Sequence, residues 1–172
     1  MKKRNVLRVL IVVCLSTALL TTGCKSKETT AAPFTELNWE STLEDMQSAY
    51  GTDYETTLSY VGDTYIYSGE YEKMAGQIRY SFADDTLASA VFIYESEDGE
   101  ELASIYDSLH SKYETKYGES GEYETSATTM TDIWRLDTGN IMLVALISSD
   151  YNAIMVSYLD PSNSTSNVNN QE

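Results

Sequence analysis

Few side chains in this sequence are suited to acid–base or nucleophilic chemistry. It holds one histidine, His110, and two cysteines, Cys14 and Cys24, both near the N-terminus. A nucleophile needs a base within hydrogen-bond reach, and neither a G-x-S-x-G elbow nor a Cys–His pairing is present. Zinc sites take three or four His, Cys or carboxylate ligands, a set that one histidine among scattered acids does not supply. The nine glycines stand singly at turn positions, so no loop is built to cradle phosphate. Carboxylates are abundant at Asp84, Asp85, Glu95, Glu97, Asp98, Glu100 and Glu101. Glycoside hydrolysis needs two of them facing each other across a cleft, yet these fall in turns and at a helix start, where acids favour the helix dipole. The run from Glu95 to Glu101 also lacks the spacing of a calcium loop. The expectation is therefore no catalytic residue, no metal ligand and no cofactor, with His110 a surface or boundary side chain. Aromatics remain. Tyr65 and Tyr67 share one face of a strand, as do Tyr80 and Phe82. Such rows either pack against helices as core or present a surface for a sugar or a protein partner. These four are the candidate binding surface.

The elements that position them follow from periodicity. Ser41-Thr42-Leu43-Glu44 reads as a capping box, and Leu43, Met46 and Tyr50 give a short helix one face before Gly51 ends it. Residues 54–61 and 64–68 alternate as strands, 69–76 are loop or irregular strand, and 78–82 and 87–94 are strands with Asp84-Asp85 as the turn. Asp98 caps a second helix, with Glu101 at the reciprocal position. Leu102, Ile105, Tyr106, Leu109, Tyr113 and Tyr117 form its apolar stripe, and Gly118 terminates it. Strands at 124–136, 141–147 and 153–159 follow, the middle one apolar on both faces. The expected fold is α+β: an antiparallel sheet of about five to seven strands with two helices. The order of helix, Tyr-Gly stop and meander occurs twice, a possible tandem repeat.

Composition sets the surroundings. Lys2, Lys3, Arg4 and Arg8 precede an apolar run over 9–20. A basic start, a short apolar stretch and small residues after it define a secretory signal peptide, and the run is too short to span a bilayer. Gly23-Cys24 follows it directly, and this stretch resembles the lipobox of bacterial lipoproteins. The resemblance implies cleavage before Cys24 and lipid attachment to it, although Thr21 stands where that family usually has Leu. The mature chain, Cys24 onward, would then keep seven basic residues against 27 acidic ones, or −20. Such a charge repels nucleic acid and anionic bilayers. Cys24 would be its sole cysteine, so no internal disulfide forms and stability must come from the hydrophobic core. That core draws on 14 Tyr against 3 Phe.

The boundaries expected are a signal peptide at 1–23, lipidated Cys24 and a flexible tether over 24–33, one α+β domain at 34–161, and a disordered tail at 162–172. The order of elements resembles the β-lactamase inhibitory protein fold and the small outer-membrane assembly lipoproteins. Trp39-Glu40-Ser41-Thr42-Leu43-Glu44-Asp45-Met46 carries the likeness, though Glu40 replaces the usual Gly. Those proteins bind other proteins. The resemblance implies a non-catalytic, protein-binding or scaffold lipoprotein, held on the extracytoplasmic face of the cell membrane through Cys24. The alternative is a module binding cell-wall glycan or a small ligand through its tyrosines.

Overall fold

The computed structural model describes residues 30–59 and 62–164. Its elements run α1 (Leu43–Tyr50), β1 (Glu55–Ser59), β2 (Gly62–Tyr71), β3 (Met74–Ala83) and β4 (Thr86–Glu95). Then come α2 (Gly99–Tyr117), β5 (Glu122–Thr125), β6 (Thr129–Leu136), β7 (Gly139–Ile147), β8 (Asn152–Leu159) and the single turn α3 (Pro161–Ser164). The fold is α+β. Among the described residues, eight strands form one antiparallel sheet in the order β1-β2-β3-β4-β8-β7-β6-β5. A helix followed by a four-strand meander thus occurs twice, and the two meanders meet through their last strands.

The strand count exceeds the five to seven expected because the segment read as one strand over 124–136 is a hairpin. Ser126 closes it: its backbone N–H donates to Thr129 O at 2.7 Å, and its Oγ accepts from the N–H groups of Thr128 and Thr129. A Ser/Thr turn carries none of the Gly, Pro or Asn punctuation by which turns are read. The same reason resolves 69–76. It is continuous strand on both sides of a two-residue turn, Glu72-Lys73, whose φ angles are 51° and 68°. Asp84-Asp85 makes the next hairpin in the same way, at 48° and 69°. Tight hairpins favour this left-handed backbone, here in residues other than glycine.

The first helix is capped one residue later than the sequence suggested. Thr42 is the cap: its Oγ1 accepts from Asp45 N, and the Asp45 carboxylate accepts from Thr42 N at 2.8 Å. Ser41 faces inward instead, its Oγ accepting from Asn38 N and its carbonyl from Leu87 N. On α2, Asp98 caps as expected through the N–H groups of Glu100 and Glu101. Glu101 does not reciprocate, because its carboxylate takes Ser96 Oγ and Tyr94 Oη. Gly51 and Gly118 end the two helices at φ 82° and 88°, each donating back to the carbonyl four residues earlier.

Both helices lie on one face of the sheet. Leu102, Tyr106, Leu109 and Tyr113 are the buried positions of α2, and Met46 that of α1. Ile105 and Tyr117 are half-buried flanks of the stripe. The facing row across the sheet is Tyr65, Tyr80, Ala90, Tyr158, Ile141, Trp134, in strand order. Beside it runs Tyr67, Ile78, Phe92, Val156, Leu143, Asp132. β7, apolar on both faces and expected at the centre, is an inner strand flanked by β8 and β6, and the centre of the sheet is the β4–β8 pair.

Packing begins before Phe34. Ala31 and Ala32 are buried and Ala31 N donates to Leu37 O, so 31–33 belongs to the domain rather than to the tether. At the other end α3 continues past Pro161 to Ser164. The signal, Cys24 and most of the tail lie outside the described residues. Among the described residues no helix is long and apolar enough to cross a membrane.

Candidate functional site

The four aromatics singled out in sequence come together on the helix-facing side of β2 and β3, but not as one exposed platform. Tyr65 and Tyr80 are direct register partners, and Tyr67 and Phe82 flank them. Tyr80 is core, 1% exposed, with the ring of Tyr50 stacked on it at 5.6 Å. Burial pushes its hydroxyl pKa well above the ordinary tyrosine value. Tyr67 is half-buried and committed, its Oη donating to Gly51 O at 2.8 Å. Burial also raises its pKa, and the neighbouring Tyr54 and Tyr50 add to the shift. α1 is only two turns long, and tyrosine rings fill the space that a longer helix would cover. Tyr54 meets Tyr65 at 5.0 Å and Tyr67 at 5.6 Å edge-on, and Tyr67 meets Tyr80 at 6.0 Å. Edge-to-face pairs are worth roughly 0.5–1.5 kcal/mol beyond their area, and Tyr50, stacked on Tyr80 and tilted against Tyr67 at 5.8 Å, ties α1 to this cluster.

Tyr65 and Phe82 remain half-exposed, packed edge-on at 5.7 Å. Together they floor an open groove of about 630 Å³. Its walls are the start of α1 (Thr42, Leu43, Glu44), Asp63 at the head of β2, and the Asp84-Asp85 turn. Four carboxylates rim two aromatic rings, and among the described residues no basic residue lines the groove. The turn chemistry explains the placement: Asp84 and Asp85 occupy positions where short polar residues tolerate positive φ. Glu44 stands in the first turn of α1, where the dipole favours it. Burial raises the pKa of Tyr65, and the charge of Asp63 raises it further. Directly across from Asp63, on the same face of the sheet, Leu58 of β1 is 83% exposed. The alternation over 54–61 puts Leu58 on one face with Tyr54 and Thr56, and among the described residues no helix covers the end of this edge strand.

This surface can take a ligand that presents positive charge together with apolar stem. Carboxylates supply the attraction, and the aromatic floor accepts a cation or a methylene chain. A second open groove, of about 530 Å³, gathers Glu95, Glu97 and Asp150 beside Tyr151, but it lacks the paired aromatic floor. Glu95 accepts from Tyr151 Oη at 2.9 Å, and Glu101 is taken by Ser96 and Tyr94. Among the described residues no three His, Cys, Asp or Glu are grouped to hold a metal ion. His110 sits at the boundary of α2 with Nδ1 against the buried carboxylate of Asp132, a contact that a lone Asp amid β6 did not announce.

No family model matches the chain, and no curated protein matches it. Among solved structures it is similar to the crystal structure of a DUF4309 family protein (YjgB) from Bacillus subtilis subsp. subtilis str. 168. The identity is 17%, the match covers 77% of this chain and 86% of that one, and the TM-score is 0.45.

Proposed function

We propose that this protein is an extracytoplasmic lipoprotein, anchored through Cys24, whose domain binds a cationic segment of another protein. The observation that carries the binding role is the groove over Tyr65 and Phe82, with Glu44, Asp63, Asp84 and Asp85 around it and no counter-charge among the described residues of its lining. Apolar centre and polar rim are the anatomy of a protein-binding surface. Complementary charge would speed encounter with a basic partner and exclude acidic ones. Glycan recognition would be better served by a deep, tyrosine-walled pocket, whereas this groove is shallow and its deeper tyrosines are committed to packing.

The anchor rests on the basic start, the apolar run and Gly23-Cys24. Incorporation of labelled fatty acid should be lost in Cys24→Ser, and unchanged labelling would remove this part of the proposal. The groove is tested by crosslinking in native membranes and identifying the proteins recovered. Tyr65→Ala and Asp63→Lys should each lower recovery of the same partner by about tenfold or more, the weight of a central contact. Tyr151→Ala, at an exposed position on another face, should leave it unchanged. Equal recovery from all variants would refute the groove as the site. Tyr65-dependent retention on purified cell-wall glycan, with no protein recovered, would establish the alternative.

A further inference from the structure

His110 is held in a way that the groove does not explain. Asp132 lies in the helix-facing row of β6, in register with Leu143, and is completely buried. Three side chains surround its carboxylate. Tyr106 Oη donates to Oδ2 at 2.6 Å, Ser120 Oγ donates to Oδ1 at 2.8 Å, and His110 Nδ1 lies 2.6 Å from Oδ2. A carboxylate among donors accepts, so Nδ1 donates to it and Nε2 is the ring nitrogen left to face a ligand. Nε2 faces outward, 3.7 Å from Oε2 of Glu114, with the two side chains 28% and 45% exposed. Tyr106 lies nearly parallel to the imidazole at 6.3 Å and Trp134 packs on it at 6.1 Å, which restricts its rotation.

We propose that His110 Nε2 and Glu114 form a two-ligand site for a divalent transition-metal ion, with Asp132 as the positioning residue. A carboxylate on the far nitrogen is how metal-binding histidines are oriented and made more basic. Residues i and i+4 on one helix face bring two ligands to one ion. Ligand atoms bound at about 2.0–2.2 Å stand roughly 3.4 Å apart in tetrahedral geometry, so the pair closes on an ion with a small turn of Glu114. Imidazole with carboxylate suits Zn²⁺, Ni²⁺ and Cu²⁺, and Cu²⁺ should bind most tightly. The protein supplies two ligands, because Asp132 is spent on Nδ1. The remaining positions are open to water or to a ligand from a second molecule.

The protein, with any free thiol alkylated, is titrated with Cu²⁺ and Zn²⁺ by calorimetry and by quenching of Trp134 fluorescence. One ion per chain should bind, and the copper electron paramagnetic resonance spectrum should show one imidazole nitrogen. His110→Ala should lose that ion and the nitrogen signature. Glu114→Gln, at an exposed position that leaves the fold intact, should weaken binding. Asp132→Asn should weaken it by about 10–100-fold while the nitrogen signature remains at saturating copper. Stoichiometry and affinity unchanged in His110→Ala and Glu114→Gln would overturn the proposal and assign the bound metal to diffuse acidic charge. Failure of the groove variants to lose their partner would leave this result untouched, since the two sites share no residue.

Discussion

Tyr71 and Tyr113 share a hydrogen bond of 2.8 Å between their hydroxyls, tying β2 to α2 inside the core. Burial pushes Tyr71 up to about 12, and the bond from Tyr113 offsets part of that rise. Tyr113 and Tyr158 are raised still further, again by burial first. These groups stay protonated in the fold while the same residues in an open chain ionise near 10. The unfolded chain then binds fewer protons, so stability is whole below about pH 10 and falls as pH climbs toward about 12. Each retained proton adds about 1.4 kcal/mol per pH unit to that slope. The urea midpoint should hold to about pH 9 and drop steeply by about pH 11, and Tyr71→Phe should make the drop shallower. Absorbance at the tyrosinate band should show a late-titrating subset that joins the rest only on unfolding. A midpoint indifferent to this range would mean that the buried hydroxyls are not held neutral by the fold. Residue identity alone foretold tyrosine in the core but not which tyrosines. Tyr65 and Tyr80 have the same alternation in sequence. The ring of Tyr50 stacked on Tyr80, against the open groove beside Tyr65, separates core from groove floor.

At the scale of the element, α2 is the clearest case of sequence dictating structure. Its stripe at spacings of 3 and 4 places Leu102, Tyr106, Leu109 and Tyr113 on the sheet. Leu109 lies at the middle, 3% exposed, and Ser108 beside it faces solvent. Leu109→Ala should cost about 2–5 kcal/mol through lost contact and the cavity left behind. Ser108→Ala should shift stability by about 0.5 kcal/mol or less in either direction. Equal urea midpoints for the two variants would deny the stripe its role. Helix ends were less legible than helix faces. Three candidate oxygens, on Ser41, Thr42 and Asp45, crowd the start of α1, and the contact of Ser41 with Leu87, far along the chain, decides which one caps. Hairpin positions were visible where polar residues broke the alternation, at Asp84-Asp85, 137–140 and 148–152. The Ser126 turn and the Glu72-Lys73 turn are made by residues of unremarkable turn propensity, held in place by the strands on either side.

For the whole molecule, the repeated helix-and-meander order was readable because both copies end their helices on Tyr-Gly and then alternate with period two. How the copies join was not. No local signal states that β4 and β8 pair, with Phe92 opposite Val156 at the centre of the seam. That register comes from two apolar faces seeking one common layer. The same distance effect hid Asp132. A single acid between Thr131 and Ile133 looks like a surface residue until α2, from another part of the chain, brings Tyr106 and His110 to it.

The seam also sets an order in time. β8 is the last strand, yet it is the one neighbour that both β4 and β7 lack until it arrives. A chain made from the N-terminus onward can pair β1 to β4 and β5 to β7 early, but β4 and β7 stay open edges until β8 is available. Joining of the two half-sheets thus waits for β8. A product that stops before Asn152 is not a slightly smaller copy of this domain. It is two half-sheets with open, sticky margins, the form that aggregates or is cleared by proteases.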